Sequence, residues 1–177
     1  MKPGRSLLHP IAFAAMASVA IACAFAALSS SPGAVEPVVV AVADFDYIDT
    51  SGEVMDQERV HAERLRTLAE QVRAGLDQSG RYRVVILACN PAPCSVGRTN
   101  PAELLAKAHA AGARLLIYGG IQKMSTLIQY GNAQVVDLDA DRLVFNRNIS
   151  FRGDNDEAWR RAAQFLVADL VNENLVK

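Results

Sequence analysis

Runs of apolar side chains with two different periods divide the chain into strands and helices. The segment Pro37–Ile48, PVVVAVADFDYI, begins as a continuous valine-rich run, which is typical of a strand buried on both faces of a sheet. The runs YRVVILAC and ARLLIYGGI predict two more buried strands, and Asn100 followed by Pro101 predicts a short helix between them. A longer amphipathic helix that ends before Gly80 is predicted by apolar residues at helical spacing: Leu65, Leu68, Ala69, Val72 and Leu76.

The order of these elements predicts an α/β fold. Strands joined by helical crossovers run parallel with a right-handed connection, so the first three strands are expected to be parallel. The runs LIQYGNAQVVDLDA and DRLVFNRNISF follow with no helix between them and predict an antiparallel extension. Asp154 and Glu157 are spaced as the cap and capping partner of a last helix, with Trp159 in its apolar stripe. The complete prediction is a two-layer or three-layer mixed sheet with the order β-α-β-α-β-β-β-α.

The first 34 residues have the pattern of an export signal. Lys2 and Arg5 precede an alanine-rich apolar run from Ile11 to Leu28, and small residues suited to cleavage follow. We therefore predict a signal peptide at residues 1–34, one α/β domain at residues 35–177, and a periplasmic or secreted protein. The run is nearly long enough to span a bilayer, and AIAC ending at Cys23 resembles a lipoprotein signal. Membrane contact is expected only if the leader is kept as an anchor or Cys23 is lipidated.

Export leaves two cysteines, Cys89 and Cys94, on either side of a proline-containing loop. Cysteines of exported proteins are usually oxidised, so these two are expected to form a disulfide. Structural zinc needs four ligands, and no histidine or further cysteine stands near the pair in sequence. A thioredoxin-type redox motif has a shorter spacing at a helix start. The pattern favours a structural disulfide, and we predict neither a metal nor a cofactor.

The charge balance argues against nucleic acid as a partner. The chain has 18 basic and 19 acidic side chains, and the leader removes Lys2 and Arg5, which makes the mature chain more acidic. Phosphate binding needs a concentrated basic face. His61 and His109 lie in helix patterns beside acidic or alanine-rich neighbours, so we expect both to be solvated or next to a helix cap.

The segment DFDYIDTSGE, after the first strand, holds the best candidate binding residues. Open α/β sheets bind ligands at the carboxyl ends of their strands, where Asp44 and Asp46 are expected to share one face. Asp49, Ser51 and Lys123 complete the candidate set. We expect no catalytic residue, because the chain has no recognisable set of nucleophile, base and orienting group. We expect no metal, because the segment lacks the glycine and terminal glutamate of a calcium loop. The alternative is a solvated strand end with an Asx-type turn at Asp49.

Several stretches together resemble a family of predicted secreted bacterial proteins of unknown function, along nearly the whole mature chain. They are VAVADFDYIDTS, SGRYRVV, GARLLIYGGIQKMSTLI and RLVFNRNISFRGDNDEAWRRA. This resemblance implies no particular activity. The order of elements is also similar to the N-terminal α/β domain of the periplasmic protein TolB and to related envelope-assembly proteins, in which such domains serve protein contacts. That second likeness concerns the fold, and a fold does not fix a function.

Two functions therefore stay open. The first is an exported periplasmic binding or envelope-assembly module without catalytic activity, whose partner is another envelope protein. The second is a small envelope hydrolase or ligand-binding protein that uses the acidic segment from Asp44 to Asp49. A concave site around Asp49, Ser51 and Lys123 would favour ligand chemistry, whereas a flat surface would favour a protein partner.

Overall fold

The computed structural model describes residues 36–90 and 93–176, so the predicted leader and Cys23 lie outside the described residues. Six strands form one mixed sheet: β1 (Val38–Val42), β2 (Asp46–Asp49), β3 (Tyr82–Val85), β4 (Leu115–Lys123), β5 (Ile128–Asp137) and β6 (Arg142–Arg152). The helices are α1 (Glu58–Gln78), α2 (Pro101–Ala110) and α3 (Asp156–Asn172). Within this part of the chain, each helix is too short or too polar to cross a bilayer.

The strand order is β3-β1-β4-β5-β6, and β2 pairs with β4 beyond the end of β1. β1 is parallel to β3 and to β4, whereas β5 and β6 join by antiparallel pairing. The predicted α/β class, the three parallel strands and the antiparallel extension are thus confirmed.

The first predicted strand is interrupted by a bulge between β1 and β2. Val42 lies opposite Ile117 and Asp46 opposite Gly120, so residues 43–45 face only residues 118–119. The extra residue reverses the alternation of side chains, as bulges do. Val42 and Phe45 consequently face the same hydrophobic core although their spacing is odd.

The two faces of the sheet are covered to different extents. Helices α1 and α3 pack on one face and enclose the larger core, which includes Val72, Ile117 and Leu166. Helix α2 packs on the other face through Leu104 and Ala108, against Ala41 and Leu116 of β1 and β4. The even-numbered side chains at the centre of β6 are exposed on this second face.

The helix starts agree with the sequence at α2 and differ from it at α3. The Asn100 side chain accepts a hydrogen bond from Ala102 N (2.9 Å), as predicted for an N-cap. At α3 the cap is Asn155, which accepts from Ala158 N (2.9 Å), so the prediction of Asp154 as the cap is wrong. The Asp154 carboxylate is occupied by cationic side chains instead. Trp159 is 2% exposed, which confirms its assignment to the core.

Candidate functional site

The carboxyl ends of β1 and β3 form a crevice because the chain leaves these adjacent strands toward opposite faces of the sheet. β1 leads to α1 in the larger core, whereas β3 leads to α2 on the other face. Such a topological switch point is the usual ligand position in open α/β sheets. A crevice of about 580 Å³ lies here, lined by Asp44, Phe45, Asp46, Tyr47, Glu58, Ala62, Leu65, Arg66, Pro93 and Arg98.

Asp44 fastens the loop that follows β3 to the strand break. Its carboxylate accepts from Arg73 Nη2 of α1 (2.7 Å) and from Cys94 N (2.8 Å). Its own backbone N donates to Cys94 O (2.8 Å). Arg73 also donates to Val42 O at the end of β1 (2.9 Å). Asp44 thus contributes its carboxylate to the framework of the crevice.

Asp46 binds the next turn of the same loop. Its carboxylate accepts from Ser95 Oγ (2.6 Å) and from Gly97 N (2.8 Å). The predicted disulfide between Cys89 and Cys94 is present, with Cα atoms 5.3 Å apart, and closes the loop on the other side. The structure therefore brings Asp44 and Asp46 together as acceptors that hold the disulfide loop in place.

Asp49 and Ser51 form a local turn at the end of β2. The Asp49 carboxylate accepts from Ser51 N (2.8 Å) and from Ser51 Oγ (2.6 Å), the geometry of an Asx turn. The hydrogen bond from the Ser51 hydroxyl holds the pKa of Asp49 below its usual range. Asp49 is exposed, so this turn matches the solvated strand end that the sequence left open as the alternative.

Lys123 lies apart from the crevice, in a buried polar cluster between the sheet and the starts of α1 and α3. Its side chain is 0% exposed, and its Nζ donates to Glu53 Oε2 (2.6 Å) and to Gln57 Oε1 (2.9 Å). A third ion pair joins Nζ to Asp154 Oδ2 (2.8 Å). Burial acts to lower the pKa of the Lys123 ammonium, yet its hydrogen bonds to Asp154 and Glu53 outweigh the effect of burial and raise that pKa. Lys123 is therefore charged, enclosed and unable to meet a solute.

Asp154 is the centre of this cluster. It accepts from His61 Nε2 (2.9 Å) and from Arg64 Nη1 (2.8 Å) in addition to its pair with Lys123. Burial acts to raise the pKa of Asp154, but the bonds from Lys123 and His61 prevail and lower it. His61 is 1% exposed, so it is not solvated; it lies in the first turn of α1, four residues after the cap residue Gln57, which is the other position expected for it. A carboxylate and an aromatic stack compensate its loss of water.

The aromatic wall of the cluster links it to the crevice. The Tyr47 ring stacks on His61 with 4.6 Å between centroids, and Trp159 lies 6.3 Å from His61. Burial raises the pKa of the Tyr47 hydroxyl strongly, and the negative charges of Asp49 and Asp154 add to the rise. Tyr47 thus stays a neutral phenol and belongs to both the crevice and the cluster.

The buried cluster contains acid, base and cation but is closed to substrates. Neither His61 nor Lys123 has accessible surface of consequence. In residues 36–90 and 93–176, no group of three or more His, Cys, Asp and Glu side chains is arranged to hold a metal ion. The ion pairs of the cluster connect three segments: β4, the chain before α1 and the chain before α3.

Two positions in the sequence indicate this cluster, although neither identifies its central carboxylate. His61 stands four residues before Leu65, so it extends the apolar stripe of α1 by one turn. Lys123 stands two residues after Ile121, which the alternation of β4 places on the helix-covered face. A charged residue at a core position requires a buried counter-charge. No sequence pattern near Asp154 identifies it as that counter-charge.

A patch of exposed apolar side chains lies beside the cluster. Half of the ten exposed large apolar side chains in the described residues fall in two short segments: Ile48, Val54, Met55, Met124 and Leu127. The segments are adjacent, because Thr50 Oγ1 lies 3.9 Å from the Met124 sulfur and donates to Lys123 O (2.9 Å). Val54 is fully exposed and Met55 is 76% exposed. We call these five residues the strand-end patch.

Comparison with known proteins identifies the family. The DUF3280 family, described as "Protein of unknown function (DUF2380)", matches residues 38–171. The chain belongs to this family. The match covers most of the chain and confirms the resemblance to a family of unknown function. No curated protein has significant sequence similarity to the chain.

Solved structures share the fold at low sequence identity. The hypothetical protein CT253 from Chlamydia trachomatis is 13% identical, with a TM-score of 0.51 over 76% of this chain and 96% of that chain. TolB from Acinetobacter baumannii is 14% identical, with a TM-score of 0.45 over 76% of this chain and 28% of that chain. The LpoB C-terminal domain from Salmonella enterica is 14% identical, with a TM-score of 0.42 over 68% and 86%. TolB, to which the order of elements suggested a likeness, is thus among the similar structures.

Proposed function

We propose that the protein is an exported, non-enzymatic module of the bacterial envelope that binds another envelope protein through the strand-end patch. The observation that carries this proposal is the exposure of Val54, Met55 and Met124 beside a buried, ion-paired cluster. Exposed apolar side chains grouped on neighbouring segments are typical of protein contact sites, and methionine is common on surfaces that adapt to a partner.

The positions of the candidate residues in the structure support the same function. Asp49 and Ser51 bond to each other at an exposed turn, whereas Lys123, the neighbour of Asp49 on β4, is buried. These three residues therefore do not line a common concave site, which was the arrangement that would favour ligand chemistry there.

Site-specific photo-crosslinking in living cells tests this function. A photoreactive amino acid is placed at Val54, at Met55 or at Met124 of the full chain, and adducts are identified by mass spectrometry. Ile86 is the matched control, because it is apolar and 83% exposed but lies outside the patch. We expect the three patch positions to capture the same envelope protein and Ile86 to capture none.

Charged substitutions in the patch supply the second half of the experiment. The Val54→Glu and Met124→Glu exchanges leave the core untouched, so the melting temperature should stay unchanged while the adduct from Met55 disappears. Equal adducts from the patch and from Ile86, or adducts that survive both substitutions, would contradict the proposed contact.

Export itself is tested by fusing residues 1–40 to a reporter that is active only outside the cytoplasm. A well-expressed but silent fusion would contradict the periplasmic or secreted location. Globomycin, which blocks lipoprotein processing, separates a cleaved leader from lipidation at Cys23. We expect processing to continue in its presence.

A second candidate function is supported by the switch-point crevice. Its lining includes the apolar side chains of Phe45 and Leu65 and the exposed side chain of Arg98. A small ligand bound there would give the ligand-binding alternative. An Ala62→Trp variant would fill the crevice without altering the patch, so loss of function in this variant alone would favour ligand binding.

A further inference from the structure

Strand β6 has one paired edge and one free edge. It pairs with β5 on one side, and among residues 36–90 and 93–176 no strand pairs with its other side. It is the longest strand of the sheet and contains neither proline nor glycine. A bulge opposite Val135 and Val136 interrupts its first part, so the regular edge comprises residues 145–152. Long, regular free edges are ready to pair with a further strand.

The even-numbered residues of this edge carry the outward backbone groups. In antiparallel pairs, opposite residues alternate between those that exchange hydrogen bonds and those that do not. Gly153 N donates to Leu127 O (2.8 Å), and Arg152 lies opposite Ile128, one step earlier. The odd-numbered residues of β6 therefore bond to β5, and the even-numbered ones direct N–H and C=O away from it. Three such residues follow one another at the centre of the edge: Asn146, Asn148 and Ser150.

A groove of about 520 Å³ lies between β6 and α3. Ile149 and Phe151 contribute apolar surface from the strand, and Phe165, which is 54% exposed, contributes it from the helix. Asn148 and Ser150 also line the groove although their side chains lie on the opposite face, so the groove reaches the free edge. Free main-chain groups beside such a groove are the combination that a sheet uses when a partner adds a strand to it.

The outward row is complementary to itself. A two-fold axis at Asn148 places this residue opposite Asn148 of a second copy and Asn146 opposite Ser150 of the second copy. Each outward N–H then meets an outward C=O, and none of these side chains is charged. An axis at Arg147 would put two like charges opposite each other, which is destabilising. The register centred on Asn148 therefore uses the whole row and avoids this repulsion.

Helix α3 presents an apolar side chain at the level of the same axis. The ring of Trp159 lies 5.8 Å from that of Phe151, and Asp169 forms an ion pair with Arg147 (2.8 Å). The helix thus runs antiparallel to β6. With rises of about 1.5 Å per residue in the helix and about 3.4 Å in the strand, Phe165 lies level with the centre of the outward row. Two copies related by the axis would bury their Phe165 rings against each other.

Charged residues of opposite sign flank Phe165. Arg161 lies one turn before it and Asp169 one turn after it, on the same side of α3. Because the two α3 helices of such a dimer would be antiparallel, Arg161 of each copy would approach Asp169 of the other. The Arg161 side chain is 60% exposed and, within the described part of the chain, pairs only with Glu157 of its own helix. A strand from an unrelated protein offers no such symmetric match, so charge complementarity favours a second copy.

We propose that the protein forms a two-fold symmetric dimer in which two β6 strands pair antiparallel about Asn148 and join the two sheets into one. The α3 helices of the two copies close the groove through Phe165 and through the pairs of Arg161 with Asp169. The five residues of the strand-end patch belong to neither β6 nor α3, so the dimer does not rest on the proposed protein contact.

Single cysteines at the outward positions test both the partner and the register. Residues of a hydrogen-bonded pair have Cα atoms about 5.5 Å apart, which is within the range of a disulfide. The protein, expressed from its full sequence and purified, is oxidised mildly. We expect Asn148→Cys to form a covalent dimer alone, and Asn146→Cys and Ser150→Cys to form one only when the two variants are mixed. Gln78→Cys, at an exposed helix position, is the matched control and should form none.

Sedimentation equilibrium of the original protein and of an edge variant measures the association itself. Asn148→Pro removes an outward N–H and sets a ring against the second strand, while the bonds to β5 use the odd-numbered residues and remain. We expect the dissociation constant of the dimer to rise about tenfold or more. Asn148→Ala is the matched control, because it loses the same side-chain bond from Asn132 but keeps the N–H. It should dimerise like the original protein.

The helix half of the interface is tested by Phe165→Glu, which should also dissociate the dimer. Gln164→Glu adds the same charge at an exposed position on the α1 side of the helix and should not. The proposal would be overturned by a protein that stays monomeric at its highest soluble concentration, by equal association of the proline and alanine variants, or by a covalent dimer from Asn146→Cys alone at the yield of Asn148→Cys. A monomer whose free edge is occupied by another envelope protein would overturn it as well.

Discussion

Replacement of Lys123 by methionine is the most direct test of the buried cluster. Methionine has a similar length and fills the same space, so little cavity cost is expected. The change removes the only ammonium bonded to Glu53, Gln57 and Asp154 among the described residues. Asp154 then remains buried, with a side chain only 11% exposed and one cation fewer. The folded state should lose stability because this charge stays inside the protein.

The magnitude follows from the partners that remain. Removal of one member of a buried ion pair costs about 3–5 kcal/mol when the other charge stays enclosed. Asp154 keeps its bonds from His61 and Arg64, so we expect the lower end of that range, a decrease of about 3 kcal/mol in the free energy of unfolding. The Lys123→Met/Asp154→Asn double variant should lose less than the sum of the single losses, by about 1–2 kcal/mol, because these charges are coupled.

Urea denaturation measures these values, since the midpoint shift at a constant m-value reports a change in stability. The matched control is Lys107→Met. Lys107 also forms an ion pair, with Glu103 at 3.4 Å, but these side chains are 31% and 58% exposed. Such a surface pair contributes less than about 1 kcal/mol. If Lys123→Met cost no more than Lys107→Met, the reasoning about buried charge in this cluster would be refuted.

Three further predictions concern acid, the disulfide and the central strand. The folded pKa of Asp154 lies below the ordinary value of 3.8, so the stability that its carboxylate contributes is present above that value and is lost as the pH falls through the lower folded pKa. Asp154→Asn should therefore make stability fall less steeply with decreasing pH. Urea midpoints measured from pH 6 downward test this expectation. Replacing both Cys89 and Cys94 by serine should lower stability by about 2 kcal/mol, because the closed loop is short, and a stable double variant that loses its partner would show that the loop is itself the functional site. Gly119→Ala should cost about 2 kcal/mol in the same denaturation assay, since its Cβ would overlap the Asn132 carbonyl oxygen in the middle of the sheet, and an unchanged midpoint would contradict that geometry.

The fold was predictable because its elements are encoded by local patterns. Three features depend on neighbours within a few residues: the helical stripe from Leu65 to Leu76, the N-cap at Asn100, and the two consecutive strand-like runs that form β5 and β6. The bulge between Val42 and Asp46 was not predictable in this way. It depends on pairing with β4, more than 70 residues later in the chain, and nothing local marks where the extra residue is absorbed.

The candidate site was predictable in composition and only partly in arrangement. Asp44 and Asp46 do lie at a strand end at the switch point, as the topology requires, but their oxygens bind the loop at Cys94 to Gly97. The capping pattern at Asp154 failed because the helix begins one residue later, where the Asn155 side chain accepts from Ala158 N. A capping residue is chosen among neighbours by the tertiary contacts each one makes, and sequence spacing does not contain those contacts.

The buried cluster holds the chain segment that carries part of the strand-end patch. Burying charged groups is costly, and apolar packing can often replace buried ion pairs. The ion pairs of this cluster therefore suggest the hypothesis that they fix the positions of the segments that they join. Lys123 joins β4 to Glu53, the neighbour of Val54, and also to Asp154 at the start of α3. A segment held in this way loses less conformational entropy when a partner binds. In Lys123→Met, crosslinking from Val54 should therefore fall more than crosslinking from Met124, since the sheet holds Met124 through its bond to Ile128 O. An equal fall at both positions would mean that the cluster stabilises the whole domain and has no particular role in presenting the patch.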